Sequence, residues 1–475
     1  SVRYGRSSLT RNGRIWQMHL EGQPLEIGDA HGRLGSRLFG ELDEHDAIIW
    51  RDKAYSYSWL RERLDHWSIT LKDEGIATGT VVALEADFSP NSVALMLALI
   101  DCGAIFVPLT SSVRSKREEF IEIAQAERFV SISKDDSTEF SRSTQSADHP
   151  ILKELQKREN PGLVLFSSGS TGASKAAVHD ITSLLDKFKV PRHSFRTISF
   201  LLYDHIGGVN TLLYTLANGG TLVTVQERTP DAVLRAIQEY SVELLPTSPT
   251  FINLILLSEA YKRYDLSSLK IVSYGTEPMP QSTLKRFHEI FPEIRLLQTY
   301  GLSEVGILRS KSRSSDSLWV KIGGEDFRTR VVDGILHIKA KSAMLGYLNA
   351  SSPFTEDGWF NTQDAVEVDG EYMRILGRKS ELINVGGEKV YPAEVEGVIQ
   401  ELLEVAEASV YSEANPITGH IVCARITPTS TGDLTKEASR ALTRSIRRHC
   451  REKLQNYKVP VKISFVRREQ HGDRP

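Results

Sequence analysis

The chain has 475 residues, 40% of them hydrophobic and 25% charged, with a formal net charge of −3. That length favours two or three domains with substantial cores, and the composition is that of an ordinary soluble protein. A charge so close to neutral provides no basic field for nucleic acid, and no nucleic-acid partner is expected.

From the N-terminus, no secretory leader is visible, and the chain begins without an initiator Met. Residues 59–75 read as a helix ending in Gly, 81–85 as a short strand and 90–101 as a helix. Its apolar stretch, 93–100, is the longest in the chain and too short to span a bilayer. A strand at 104–108 and a helix at 116–126 follow, and the polar segment 135–150 reads as a surface linker. The alternation resumes with a strand at 221–225, a helix at 230–240 and a strand at 269–272. From Val331 onward the texture changes to short strands and turns. This pattern predicts parallel sheets flanked by helices. Cys102, Cys423 and Cys450 lie far apart and suggest neither a disulfide framework nor a zinc site, only reduced, mostly buried thiols. A cytoplasmic location fits these features best.

The most telling segment is Phe166-Ser167-Ser168-Gly169-Ser170-Thr171-Gly172-Ala173-Ser174-Lys175, which follows the apolar Leu163-Val164-Leu165. Glycines let backbone N–H groups approach an anion, hydroxyls add donors and the lysine adds charge, so the loop has the chemistry of a phosphate cradle. It is not the ordinary P-loop, which needs Gly before the lysine and Ser or Thr after it; here Ser174 and Ala176 stand in those places.

Further along, Tyr300-Gly301-Leu302-Ser303-Glu304 joins an aromatic ring to a hydroxyl–carboxylate pair. Tyr300 suits stacking on a base, Ser303 an α-phosphate and Glu304 Mg²⁺ through hard oxygen ligands. Trp359-Phe360-Asn361-Thr362-Gln363-Asp364 and Gly377-Arg378 supply a carboxylate suited to the two ribose hydroxyls and an arginine able to reach ribose or phosphate.

Together these segments resemble the adenylate-forming superfamily of acyl-CoA and aryl-CoA ligases, luciferases and peptide-synthetase adenylation domains, and are most similar to the CoA ligase branch. The likeness rests on the Ser/Gly loop, Tyr300 to Glu304, Asp364 with Arg378, and the segment Gly386-Gly387-Glu388-Lys389-Val390-Tyr391-Pro392-Ala393-Glu394-Val395-Glu396. Departures are Ser174 for Pro, Ala176 for Gly, Ser303 for Thr and Gln363 for Gly. The resemblance implies an α/β fold with a large N-terminal domain of parallel and mixed sheets, residues 1–379, and a small, mobile α+β lid, residues 380–475, hinged at Ser380. It implies ATP and Mg²⁺ as cofactors, with CoA the expected acceptor and a carrier protein or amine the alternative. Lys175, Ser303 and Glu304 become the expected catalytic residues, with Glu304 on the metal. Nucleotide contacts are expected from Ser167, Ser168, Gly169, Ser170, Thr171, Gly172, Gly275, Thr276, Glu277, Tyr300, Gly301, Asp364 and Arg378. Gly386 and Gly387 are expected to pass the pantetheine arm.

For the acid, residues 199–208 look like the family's pocket strand, with His205, Ile206, Gly207, Tyr274 and Gly301 lining the pocket. Ile206 falls where amino-acid activators carry an Asp, and an unpaired ammonium there is costly. An acid without an α-amino group is therefore expected; a register shift of two would instead put Asp204 at that place. A catalytic Asp204–His205 pair is disfavoured if the segment is a strand, because neighbours then face opposite ways. The family's C-terminal lysine would fall just past Pro475. A non-catalytic nucleotide-binding module is the remaining alternative, opposed by the presence of Lys175, Glu304, Asp364 and Arg378.

Overall fold

The computed structural model describes residues 44–168, 174–324, 326–430 and 434–466; expectations for Gly169, Ser170, Thr171, Gly172 and the C-terminal loop fall outside them. Two seven-stranded sheets lie in the large domain, one parallel but for its last strand pair and the other mixed, with a parallel centre and antiparallel edges. One runs from Arg295–Gln298 through Ile271–Tyr274 to Asp46–Trp50 and Lys53–Ser56. The other runs from Gly346–Tyr347 and Ser174–Asp180 through Gly162–Ser168 and Val81–Glu85 to Thr138–Arg142.

Local chemistry explains the helices between them. Tyr57–Asp73 starts where the Ser56 hydroxyl accepts from the Trp59 N–H, and buries Tyr57, Leu60, Leu64, Trp67 and Leu71 at three- and four-residue spacings. Pro90–Asp101 opens with a reciprocal Ser89–Ser92 capping box and a proline in its first turn. Residues 93–100 are buried on every side of that helix, which accounts for their unbroken apolar run.

The segment 135–150 departs from the expected linker. Thr138–Arg142 pairs antiparallel with Arg128–Ile132 at the sheet edge, and only Phe140 turns inward, to within 6.2 Å of the Trp67 ring. An edge strand with one face in water lacks the apolar alternation by which strands are recognised. The expected pocket strand is also different: strand ends at Ile198, residues 199–205 turn, and Ile206–Ala217 is a helix. A Cβ on Gly208 would lie 1.8 Å from the Leu202 carbonyl oxygen, so the Gly pair marks backbone touching backbone rather than an extended strand.

A six-stranded sheet built from residues between Ser310 and Arg378 follows, its strand pairs antiparallel. The C-terminal domain has its own sheet, from Glu388–Val390 to Val405–Asn415, covered by helices Pro392–Ile399 and Lys436–Lys453. Its apolar core, including Ile383, Val395, Ile399, Ile426, Leu442 and Ile446, draws on residues 383–465 alone. The two domains meet where Asn253 Nδ2 donates to the Ala406 carbonyl at 2.9 Å. The cysteines are free thiols; Cys423 and Cys450 are buried, Cys102 partly so.

Candidate active site

The described ends of the Ser/Gly segment belong to two strands paired antiparallel, Gly162–Ser168 and Ser174–Asp180, with Ser167 opposite Lys175 and Ser168 opposite Ser174. Lys175 Nζ lies 5.5 Å from the centre of the Tyr347 ring, and a second cation, Lys116 Nζ, donates to Ser174 Oγ at 3.1 Å. The strand Gly346–Tyr347 pairs with Ser174–Asp180, and Asn349 locks it: its Oδ1 accepts from Ala176 N and its Nδ2 donates to the Ser174 carbonyl.

Tyr347 then reaches across the site. Its hydroxyl donates to Glu304 Oε1 at 2.5 Å, and burial with the adjacent carboxylate pushes the phenol well above its usual range. Glu304 and Ser303 occupy the turn of a hairpin between Tyr300–Leu302 and Gly306–Leu308. That turn is held from below by His179, whose Nε2 donates to the Ser303 carbonyl at 2.6 Å. The carbonyl acceptor requires the Nε2–H tautomer. His179 is fully buried, and burial brings its pKa down to about 4, so the ring is neutral at neutral pH.

Tyr300 begins the same hairpin. Its ring is buried in the core of the antiparallel sheet and its hydroxyl donates to Asp364 Oδ2 at 2.5 Å. Arg378 Nε stands 3.5 Å from the other oxygen, Oδ1, with Asp364 and Arg378 directly opposite in register. Burial pushes the Asp364 carboxyl up, while Tyr300 and Arg378 pull the other way. Gln363, in the place of a glycine, adopts φ +62°, a left-handed conformation, and the Thr362 hydroxyl accepts from the Asp364 N–H. Tyr347 thus ties Lys175 to Glu304, Tyr300 ties the same hairpin to Asp364 and Arg378, and the charges of Glu304 and Arg378 act across the gap between the two groups.

The remaining residues lie around this cluster. Gly275 and Gly301 are sites of close approach: a Cβ would come within 2.6 Å of Thr299 Oγ1 and 2.4 Å of Ile307 Cδ1 respectively. Tyr274 is buried within its strand, and Thr276 has φ +73°. Glu277 Oε1 accepts from the Thr250 N–H, and its charge helps hold the buried Glu396 carboxyl of the C-terminal domain above the usual range, after burial and Glu381. His205 precedes the helix Ile206–Ala217 and is largely exposed, whereas Asp204 beside it is buried and accepts from Thr110 and Ser112 hydroxyls. The divergence expected of strand neighbours is not found: the segment is a turn at a helix start, and Asp204 Oδ1 lies 3.7 Å from His205 Nε2.

Ser380, Gly386 and Gly387 stand apart from the cluster. Ser380 is in the single turn Lys379–Glu381 that follows Arg378. The glycines, at φ +61° and +94°, form the tight turn between Ile383–Val385 and Glu388–Val390. These angles fit a type I′ hairpin turn.

His179, Tyr347, Asn349 and Lys116 escaped the sequence reading. The one local signal was for His179, which with Asp180 ends the apolar Ala176-Ala177-Val178.

The family model of AMP-binding enzymes matches residues 40–348, and that of the AMP-binding enzyme C-terminal domain matches residues 394–471. An indoleacetate–CoA ligase of Aromatoleum aromaticum is 24% identical, over 88% of this chain and 91% of its own. A CoA ligase of Mycobacterium tuberculosis acting on a methyl-dioxo-octahydroindenyl propanoate is 26% identical, over 90% of this chain and 94% of its own. The fold is shared with an anthranilate CoA ligase in complex with anthranoyl-AMP (TM-score 0.77, 21% identity, 92% of this chain and 93% of that one). It is shared too with an amide bond synthetase of Marinactinospora thermotolerans (TM-score 0.72, 22% identity, 91% and 94%).

Proposed function

Because the chain belongs to the AMP-binding enzyme family and is an AMP-forming acid ligase, we propose that it activates a carboxylic acid lacking an α-amino group and passes the acyl group to CoA. The observation that carries this reading is the cluster of Lys175, Tyr347, Glu304, Asp364 and Arg378, drawn from separate parts of the sequence. One end offers cations, the middle a carboxylate and the far end a buried carboxylate beside an arginine.

In the first half-reaction the substrate carboxylate oxygen attacks the α-phosphorus of ATP; the bond to the bridging oxygen breaks and pyrophosphate leaves in line. Such transfer depends on positioning and on neutralising charge. Lys175 neutralises phosphate charge. Asp364, fixed by Tyr300 and Arg378, accepts from the ribose hydroxyls. Ser303 donates to the α-phosphate while His179 fixes the backbone from which it projects. The donor set suits Mg²⁺: Tyr347 occupies one oxygen of Glu304 and leaves the other available, and Mg²⁺ commonly takes one or two carboxylates with the substrate's phosphates. Bound there, the ion would neutralise charge on the phosphates. In the second half-reaction a thiol attacks the acyl carbonyl and AMP leaves.

Ser380, next to Arg378, is our hinge between an N-terminal domain ending at residue 379 and the lid. Gly386 and Gly387 expose a side-chain-free backbone turn with open space where a Cβ would stand, which supports a passage for a pantetheine arm. The likeness to CoA ligases supports CoA as acceptor; the fold shared with an amide bond synthetase keeps an amine as the second reading. Pyrophosphate exchange over a panel of acids tests activation, and adding CoA, a carrier protein or amines to the loaded enzyme separates acceptors. Exchange independent of every acid would end the proposal.

A further inference from the structure

Lys187 has no role in the chemistry above. It lies in the turn Asp186–Phe188, and its Nζ donates to the Ile307 carbonyl at 3.2 Å. Ile307 is directly opposite Gly301 across the hairpin that carries Ser303 and Glu304. The helix beginning at Ile206 packs against both this hairpin and the turn holding Lys187. Phe188, Leu202 and Ile307 pack against one apolar cluster containing Ile206 and Val209. The ammonium therefore stands where the elements assigned to the acid pocket meet.

Its electrostatic surroundings are unusual. Among the described residues no carboxylate pairs with it, and the charged group that acts on it is another cation, Arg309. Asp186, its neighbour in sequence, turns instead to Lys189 at 2.7 Å. Burial first, and Arg309 second, bring its pKa down to about 8. An ammonium has three N–H donors, and the Ile307 carbonyl takes one of them. A desolvated cation beside a like charge is unfavourable until an anion joins it.

We propose that Lys187 is a specificity-determining residue that receives an anionic oxygen group, a second carboxylate, carried by the acid away from its reacting carboxyl. The inference rests on the acid-activation reading and narrows it to acids with two anionic ends. A carboxylate at Lys187 forms a charge-assisted hydrogen bond and offsets the ammonium's charge beside Arg309, whereas a monoacid leaves the ammonium without a counter-charge.

The test is pyrophosphate exchange with matched acids, benzoate against terephthalate and hexanoate against adipate within a wider panel of such pairs, in the wild type, Lys187→Met and Lys187→Arg. The wild type should favour the diacid by about tenfold or more in kcat/KM, mainly through KM. Lys187→Met should abolish that preference with monoacid activity retained, and Lys187→Arg should keep it. The wild-type preference should also fade above about pH 8 as the ammonium loses its proton. The charged groups beside it are Arg309 and Asp186, the latter already paired with Lys189. A lysine serving only to hold the turn would change melting temperature and leave the ratio untouched. Equal ratios in wild type and Lys187→Met, or a wild-type preference for monoacids, overturns the assignment while leaving acid activation in place. Exchange with no acid of either kind overturns both.

Discussion

Two of the chain's Gly-Gly pairs, one taken from each domain, look alike in sequence and do opposite things. Gly207-Gly208 opens a helix in the large domain, where a Cβ on Gly208 would meet the Leu202 carbonyl at 1.8 Å and the Leu201 carbonyl at 2.7 Å. Gly386-Gly387 turns a hairpin in the small domain, where a Cβ at either position meets nothing within 4 Å, but both residues hold positive φ. The first pair is required by space and the second by backbone conformation. The contrast extends to the surroundings. The helix that Gly207-Gly208 opens packs Ile206 and Val209 into an apolar cluster, while the Gly386-Gly387 turn is exposed and the small domain's surface carries ion pairs such as Lys453–Glu401 and Lys462–Glu413. Exposed pairs of that kind contribute little to stability.

The sharpest test of this contrast is Gly208→Ala against Gly386→Ala. Gly208→Ala forces one backbone segment off another and should cost about 3 kcal/mol or more, read as a loss of soluble protein or a collapse of the urea midpoint. Equal stability in the two variants would break the distinction. Next in size, Lys175→Ala and Glu304→Gln should each lower exchange by about a hundredfold or more while melting close to the wild type, because their work is electrostatic rather than structural. Unchanged exchange in both variants would remove the cluster from the reaction.

His179 gives a pH-dependent version of the same test. Its folded pKa of about 4 lies below the ordinary 6.5, so the unfolded state binds the extra proton between those values. The associated stability is fully present above pH 6.5 and is lost as pH falls toward 4, on the order of 3 kcal/mol. The difference between wild type and His179→Gln in chemical unfolding should shrink across that window; a constant difference would show that the imidazole does not titrate with folding. The smallest effects belong to turns. Gly386→Ala should cost about 1 kcal/mol through left-handed strain alone, and Gln363→Gly, at φ +62°, should be neutral or stabilising by about 0.5 kcal/mol in thermal unfolding.

How much of this was legible in the sequence depended on whether the information was local. The helices Pro90–Asp101 and Pro230–Tyr240 coincide with their sequence-based bounds because each opens with a proline after a capping Ser or Thr. The motifs carrying Lys175, Glu304, Asp364 and Arg378 could be read because each is short and continuous. What joins them could not. Tyr347 is 43 residues from Glu304, and Tyr300 is 64 from Asp364. No local pattern marks a tyrosine as a bridge. Lys187 likewise looks like one more solvated lysine until the helix and hairpin close over it. Residues 199–208 misled for another reason: apolar residues followed by two glycines suit a strand end, and only the folded turn, with Gly208 against the Leu202 carbonyl, shows the chain entering a helix there.

The lock formed by Asn349 bears on the order in which this enzyme comes into being. Its amide joins Ala176 and Ser174 across separations of 173 and 175 residues, and the adjacent Tyr347 arm depends on the same closure. Contacts so distant along the chain require a large loss of chain freedom before they return any stabilisation. During synthesis, the first sheets have all their inner strands before residue 349 is made, yet the tyrosine link between Lys175 and Glu304 does not exist. Folding of the scaffold and acquisition of catalytic competence are therefore separate events in time.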